Sequence, residues 1–206
     1  KIGVTSTGIQ KLTSSFFSQN GINIENIDPN KIRVFGYSEG MLNESVHSST
    51  PSTLPELPLY ISGEDDGEFN SEDYILFFAT QADNWEWNST AGYFYHHKHL
   101  YTDTTYYFVN IGTTDGKRIT QKAQITDPHT HFFNTYENHQ FYEVDNTNLI
   151  QSGRDWYGDY FDLISGLEKS YPFTFTNKVN TAKIHFKSKI AVRSTQSSGN
   201  NFNFKN

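Results

Sequence analysis

The stretch Tyr60–Ala79, YISGEDDGEFNSEDYILFFA, constrains this chain most, because its chemistry reverses within a few residues. Asp65, Asp66, Gly67, Glu68, Asn70, Glu72 and Asp73 crowd together with one aromatic, Phe69, among them. After Tyr74 the polarity stops, and Ile75-Leu76-Phe77-Phe78-Ala79 reads as a buried strand. On a calcium-loop template, Gly67 takes the sharp-turn position, and Glu64, Asp66, Asn70 and Asp73 face the ion. Phe69 then pins the loop to the core. The template also wants a carboxylate where Ser62 stands and a longer Glu where Asp73 stands. The alternative is a solvated turn, closed by capping and side-chain-to-backbone hydrogen bonds.

A chain of 206 residues suits one large β domain or two smaller ones, and either can bury a core. The 17 Phe and 13 Tyr against a single Met favour pleated surfaces over helices. A net charge of −7 argues against nucleic acid as a partner, since no basic stripe exists to neutralise phosphates. With no cysteine, these residues hold no disulfide, thiolate zinc site or cysteine nucleophile. No apolar run approaches a membrane span, and no signal peptide is present. The chain opens at Lys1 directly in strand-like Ile2-Gly3-Val4, as a piece excised from something longer does.

Taken in order, Lys1–Thr5 reads as a short strand. Gly8–Gln19 carries Ile9, Leu12, Phe16 and Phe17 at the spacing of one amphipathic helix, with Gly21 as its stop. Asp28-Pro29-Asn30 makes a turn, and Lys31–Phe35 alternates as a half-buried strand. Further strands are expected at Leu59–Ser62, Tyr93–Tyr95 and Tyr106–Ile111, with Thr114-Asp115-Gly116-Lys117 as a hairpin turn.

Three constellations invite a functional reading. Gly36-Tyr37-Ser38-Glu39-Gly40 matches the G-x-S-x-G nucleophile elbow, but MLNESVHSSTPSTLPELP is a poor helix to follow one, and a glycine-rich turn is preferred. Trp85 and Trp87 lie on one face if extended, as a sugar platform or a packed edge. His96-His97-Lys98-His99 and His129-Thr130-His131 offer metal-ligating types without a third ligand at a convincing spacing, so loop or edge histidines are preferred. No catalytic residue is assigned.

A domain boundary is expected near Arg118–Asp127, giving an α+β first domain over 1–122 and a β-sandwich-like second domain over 123–206, only part of which is present. Phe132–Gln140 is compatible with a short helical turn. In Ser152–Asp159, Arg154 is placed to pair with Asp155 or Asp159, or to stack on Trp156. Phe173–Phe175, Ala182–Lys187 and Ile190–Arg193 alternate with period two, as antiparallel strands with one wet face do, and Phe202–Phe204 begins another. The chain is expected to be mainly β with one N-terminal helix.

Five segments fall in a telling order: KIGVTSTGIQKLT, IRVFGYSEGML, GEDDGEFNSEDYILFFA, LYTDTTYYFVNIG and SGRDWYGD. Over most of residues 1–160 the chain resembles the region ahead of the catalytic domain in PorU-type sortases of the Bacteroidetes type IX secretion system, which are gingipain-like cysteine peptidases. The resemblance implies a parent at the outer membrane, facing the cell surface, that removes C-terminal sorting domains from secreted cargo and joins the cargo to anionic lipopolysaccharide. A downstream α/β domain would supply the cysteine nucleophile and its histidine base. Neither maps onto this chain, which is expected to be catalytically silent. Its implied partners are that catalytic domain, cargo C-terminal domains and other secretion components. No cofactor is required, and structural calcium is the one candidate. The competing expectation is a carbohydrate-binding β module, motivated by Trp85 and Trp87.

Overall fold

The computed structural model describes residues 1–24, 27–37, 40–45, 52–151, 153 and 155–192. Ser38, Arg154 and the strand expected at Phe202–Phe204 lie outside the described residues. The chain divides into two compact units, Lys1–Phe133 and Asn134–Asn206. It is mainly β, with a single short α-helix among the described residues, as its composition predicts.

In the first unit, β1 (Ile2–Val4), β9 (Thr105–Ile111), β3 (Ile32–Gly36) and β4 (Glu56–Leu57) form an antiparallel sheet in that order. A second antiparallel sheet runs β2 (Gly8–Thr13), β6 (Tyr74–Ala79), β5 (Tyr60–Ser62). Strand alternation decides what each buries. Ile32 and Val34 of β3 point inward while Arg33 and Phe35 point out. Ile75, Phe77 and Ala79 of β6 are fully buried. Inner residues of both sheets meet in one core, where the Phe77 and Tyr107 rings pack 5.6 Å apart. Burying a side chain the size of Phe77 contributes about 2–3 kcal/mol. The apolar run 75–79 is therefore half-buried rather than buried throughout. Phe78 is 53% exposed, paired across the ladder with the exposed Ile9.

The helix expected from Gly8 is shorter than its spacing suggests. Gly8–Thr13 pairs residue for residue with Ala79–Tyr74, and only Ser14–Gln19 (α1) is helical. Ile9, at 62% exposure, faces solvent and not the core. A strand and a helix joined end to end reproduced the spacing of one longer helix. Thr13 makes the switch: its Oγ1 accepts from the Phe16 N–H at 3.2 Å, the N-cap bond that starts a helix. At the other end Gly21, at φ +72°, donates to Ser18 O, and Ile22 donates to Phe17 O. This pair of bonds is a Schellman stop, and Gly21 stands at its left-handed position. One and a half turns are marginal alone. Phe17 holds them, buried edge-on against Phe69 at 6.3 Å.

A two-stranded hairpin, β7 (Asn84–Asn88) and β8 (Tyr93–His97), turns at Gly92. Thr114–Lys117 does not make the hairpin turn expected of it. Gly112 donates to Lys31 O and Gly116 to Asn30 O, so the segment folds against the start of β3. The chain then runs past Leu59, which donates to Lys117 O at 3.0 Å and accepts from Ile119 N–H at 2.8 Å.

The second unit has no strand among its described residues. Isolated bridges join Thr147 to Tyr157 and Asp162 to Gly166. The alternating segments 173–175 and 182–187 and the described part of 190–193 form no ladder, so no sandwich is formed among the described residues of 123–192. Period two specifies a half-buried strand only where a neighbouring strand takes up its hydrogen bonds. No helical turn forms over 132–140.

Candidate functional site

The acidic loop opens at Gly63, turns through Glu64–Asp66 as a single 3-10 turn, and leaves through Gly67. Both glycines adopt the left-handed conformation, with φ +86° and +81°. Phe69 follows, 1% exposed, and anchors the loop in the core.

The four proposed ligands are engaged as follows. Glu64 Oε2 accepts from Arg118 Nε at 2.6 Å. Arg118 also reaches Pro29 O at 2.7 Å, which ties the loop to the segment ahead of β3. Asp66 Oδ1 accepts from the Glu68 N–H, and Asn70 Oδ1 from the Glu72 N–H, each at 3.0 Å. Asp73 is 6% exposed, and its Oδ2 accepts from the Asn70 N–H at 2.8 Å. Of the four, the hydrogen bonds join Asn70 to Asp73. Asp66 and Asn70 close Asx turns on the N–H two residues ahead, and Asp73 reaches back to the N–H three residues before it, the chemistry of a self-capped loop. Among the described residues no group of three or more His, Cys, Asp or Glu is arranged to hold a metal ion.

Gly36, the first glycine of the G-x-S-x-G match, has a structural reason to be glycine. The Tyr107 ring lies on it so closely that a Cβ would come 2.2 Å from Cδ1.

On the hairpin, Trp85 sits opposite His96 and Trp87 opposite Phe94, so the two tryptophans share a face. The rings pack in pairs, Trp85 with His96 at 4.7 Å and Trp87 with Phe94 at 5.1 Å. His96 Nε2 lies 3.5 Å from Asp83 Oδ2, and Asp83 Oδ1 accepts from the His99 N–H. Burial pushes the His96 imidazole below its usual pKa, against the opposing pull of Asp83. His97 approaches Glu86 at 3.2 Å on the opposite face. His129 and His131 are exposed.

One further constellation lies in the second unit. Asp159 accepts from Lys169 Nζ on Oδ1 at 3.1 Å, and from the Tyr142 and Tyr171 hydroxyls on Oδ2, each at 3.0 Å. The Lys169 hydrogen bond, then that of Tyr171, holds its carboxyl below the usual carboxylate range. Burial first, then Asp159, pushes the Tyr171 phenol up to about 12. These groups line a cleft of about 560 Å³. Sequence reasoning singled out the 152–159 loop but attached its chemistry to Arg154. Lys169, Tyr171 and Tyr142 lie 10, 12 and 17 positions from Asp159, beyond any local spacing rule. Asp155 instead pairs with Lys189 at 2.8 Å.

Among the described residues no helix is long and apolar enough to cross a membrane. No protein-family model matches the chain, and no curated protein matches it. Among solved structures, the chain is similar to the dimeric latent PorU of Porphyromonas gingivalis, at 26% sequence identity and a TM-score of 0.45. The similarity covers 59% of this chain and 10% of that one, so the chain spans about a tenth of that protein's length.

Proposed function

We propose that this chain is the non-catalytic N-terminal module of a surface-exposed, gingipain-like cysteine peptidase or sortase. That parent processes the C-terminal sorting domains of type IX secretion cargo and attaches the cargo at the outer membrane. The observation that carries the reading is the order of the five sequence landmarks over residues 1–160. Four of them supply β1 and β2, β3, the acidic loop with β6, and β9, the elements that build the core of the first unit. A module of this kind scaffolds its catalytic domain or contacts cargo, and supplies no nucleophile: the chain has no cysteine. In the parent, a downstream thiolate would attack the scissile carbonyl and form an acyl-enzyme that water or an amine resolves.

The test uses the whole reading frame. The encoded protein is expected to carry a Cys/His-bearing α/β domain and to cleave a reporter ending in a type IX sorting domain, while the 206-residue chain alone leaves it intact. A reading frame without such a domain, or a full-length protein inert toward the reporter, ends the proposal. The second reading, a carbohydrate-binding module, is favoured by one observation: Trp85 and Trp87 share a face of β7, with Trp87 46% exposed. Glycan binding lost in Trp87→Ala would favour it.

A further inference from the structure

We propose that the cleft around Asp159 in the second unit is a binding site for a neutral saccharide, with Phe141, Tyr142, Tyr171 and Phe173 supplying ring surface and the Asp159–Lys169 pair supplying polar contacts. The proposal stands independently of the secretion reading.

The cleft, about 560 Å³, falls within the range of small-molecule sites. All four rings are exposed in it, from 37% for Tyr171 to 52% for Tyr142. Aromatic surface beside a few convergent polar groups suits a ligand that is apolar on one face and rimmed with hydroxyls, as a sugar ring is. Charge narrows the class. A lone carboxylate among aromatic rings would suit an ammonium ligand. Here Lys169 already fills that role on Oδ1, and two tyrosine hydroxyls occupy Oδ2. The carboxylate and ammonium cancel, so neither a cation nor an anion finds an uncompensated counter-charge. Each phenol oxygen has donated its proton to Asp159 and still accepts, and the Lys169 ammonium has further N–H groups to donate. Acceptors and donors of this kind match neutral hydroxyls. The same network fixes these groups before a ligand arrives, which lowers the ordering cost of binding.

Saturation-transfer NMR on the whole chain tests the site, with cellotriose, maltotriose and mannotriose as neutral probes and choline and trigalacturonate as charged ones. At least one neutral trisaccharide is expected to receive saturation. Its Kd should rise about tenfold or more in Phe173→Ala, while Phe173→Tyr and the hairpin variant Trp87→Ala bind as the parent does. Phe141→Ala reads the second ring, so a folding defect in one variant leaves the other to decide. The proposal is overturned if no neutral probe receives saturation, if only choline or trigalacturonate does, or if binding survives loss of both phenylalanine rings or disappears in Trp87→Ala.

Discussion

Gly63 and Asp73 meet across the acidic loop with no room for a side chain between them. A Cβ at Gly63 would lie 1.8 Å from Asp73 Oδ1. Gly63 also holds φ +86°, a conformation that costs an L residue roughly 1–2 kcal/mol. Gly63→Ala is therefore expected to lower stability by about 2 kcal/mol or more, read from urea unfolding. Asp73→Ala removes the acceptor for the Asn70 N–H and should cost about 1–2 kcal/mol. The two penalties should not add, because Gly63→Ala meets no carboxylate once Asp73 is gone. Additive losses would show that the two residues do not share this contact.

The bonds around the same loop set an expectation for calcium. Glu64 is held by Arg118, while Asp66, Asn70 and Asp73 accept backbone N–H groups of the loop itself. A loop closed in this way should melt at the same temperature in millimolar calcium and in EGTA. A rise in calcium that disappears in Asp66→Ala would instead assign an ion to it.

Tyr107 makes the corresponding test for the core. Its ring is fully buried on Gly36, and its hydroxyl accepts from the Thr80 N–H at 2.8 Å. Tyr107→Phe keeps the ring and removes the hydroxyl that accepts from the Thr80 N–H, at a cost of about 0.5–1.5 kcal/mol. Gly36→Ala drives a methyl into the ring and should cost about 1–3 kcal/mol. Equilibrium unfolding measures both. A neutral Gly36→Ala would remove the packing explanation for that glycine.

How much of this was legible beforehand differs between the units for a physical reason. In the first unit, strand alternation, turn glycines and the Phe69 anchor are local signals, and they located β3, β5, β6, β8 and β9 to within a residue or two. The start of α1 was misplaced because Ile9, Leu12 and Phe16 keep helical spacing, whereas pairing with β6 puts Ile9 and Leu12 on opposite faces of a strand. The outcome for Thr114–Lys117 depended on carbonyls of Asn30 and Lys31, far away in sequence. In the second unit the alternation at 182–187 is as clear as in β3, yet no ladder forms among the described residues. Alternation gives a strand its faces, and it cannot supply the partner. The Asp159 cluster was hidden for a related reason: its four members come from three separate stretches of chain.

Arg33 and Glu56 carry the pH prediction. Arg33 Nη2 donates to Glu56 Oε2 at 2.5 Å across β3 and β4, and Glu56 Oε1 accepts from the Lys117 N–H at 2.8 Å. The Arg33 hydrogen bond, with help from Lys117 and against the effect of burial, holds the Glu56 carboxyl below its ordinary value. An unfolded Glu titrates near pH ~4.3. The folded chain binds this proton less readily than the unfolded chain, so the contribution to stability is fully present above that value. It is lost as pH falls from there through the lower folded pKa. Glu56→Gln removes the carboxylate charge and does not titrate, so the Arg33 guanidinium, 27% exposed at its side chain, keeps only a neutral partner at every pH. The variant should be less stable than the parent at pH 7, and the gap should narrow on acidification below pH ~4. Urea unfolding at pH 7 and at pH 3 measures it. A gap of constant size would mean that the carboxylate charge contributes nothing to holding β4 on β3.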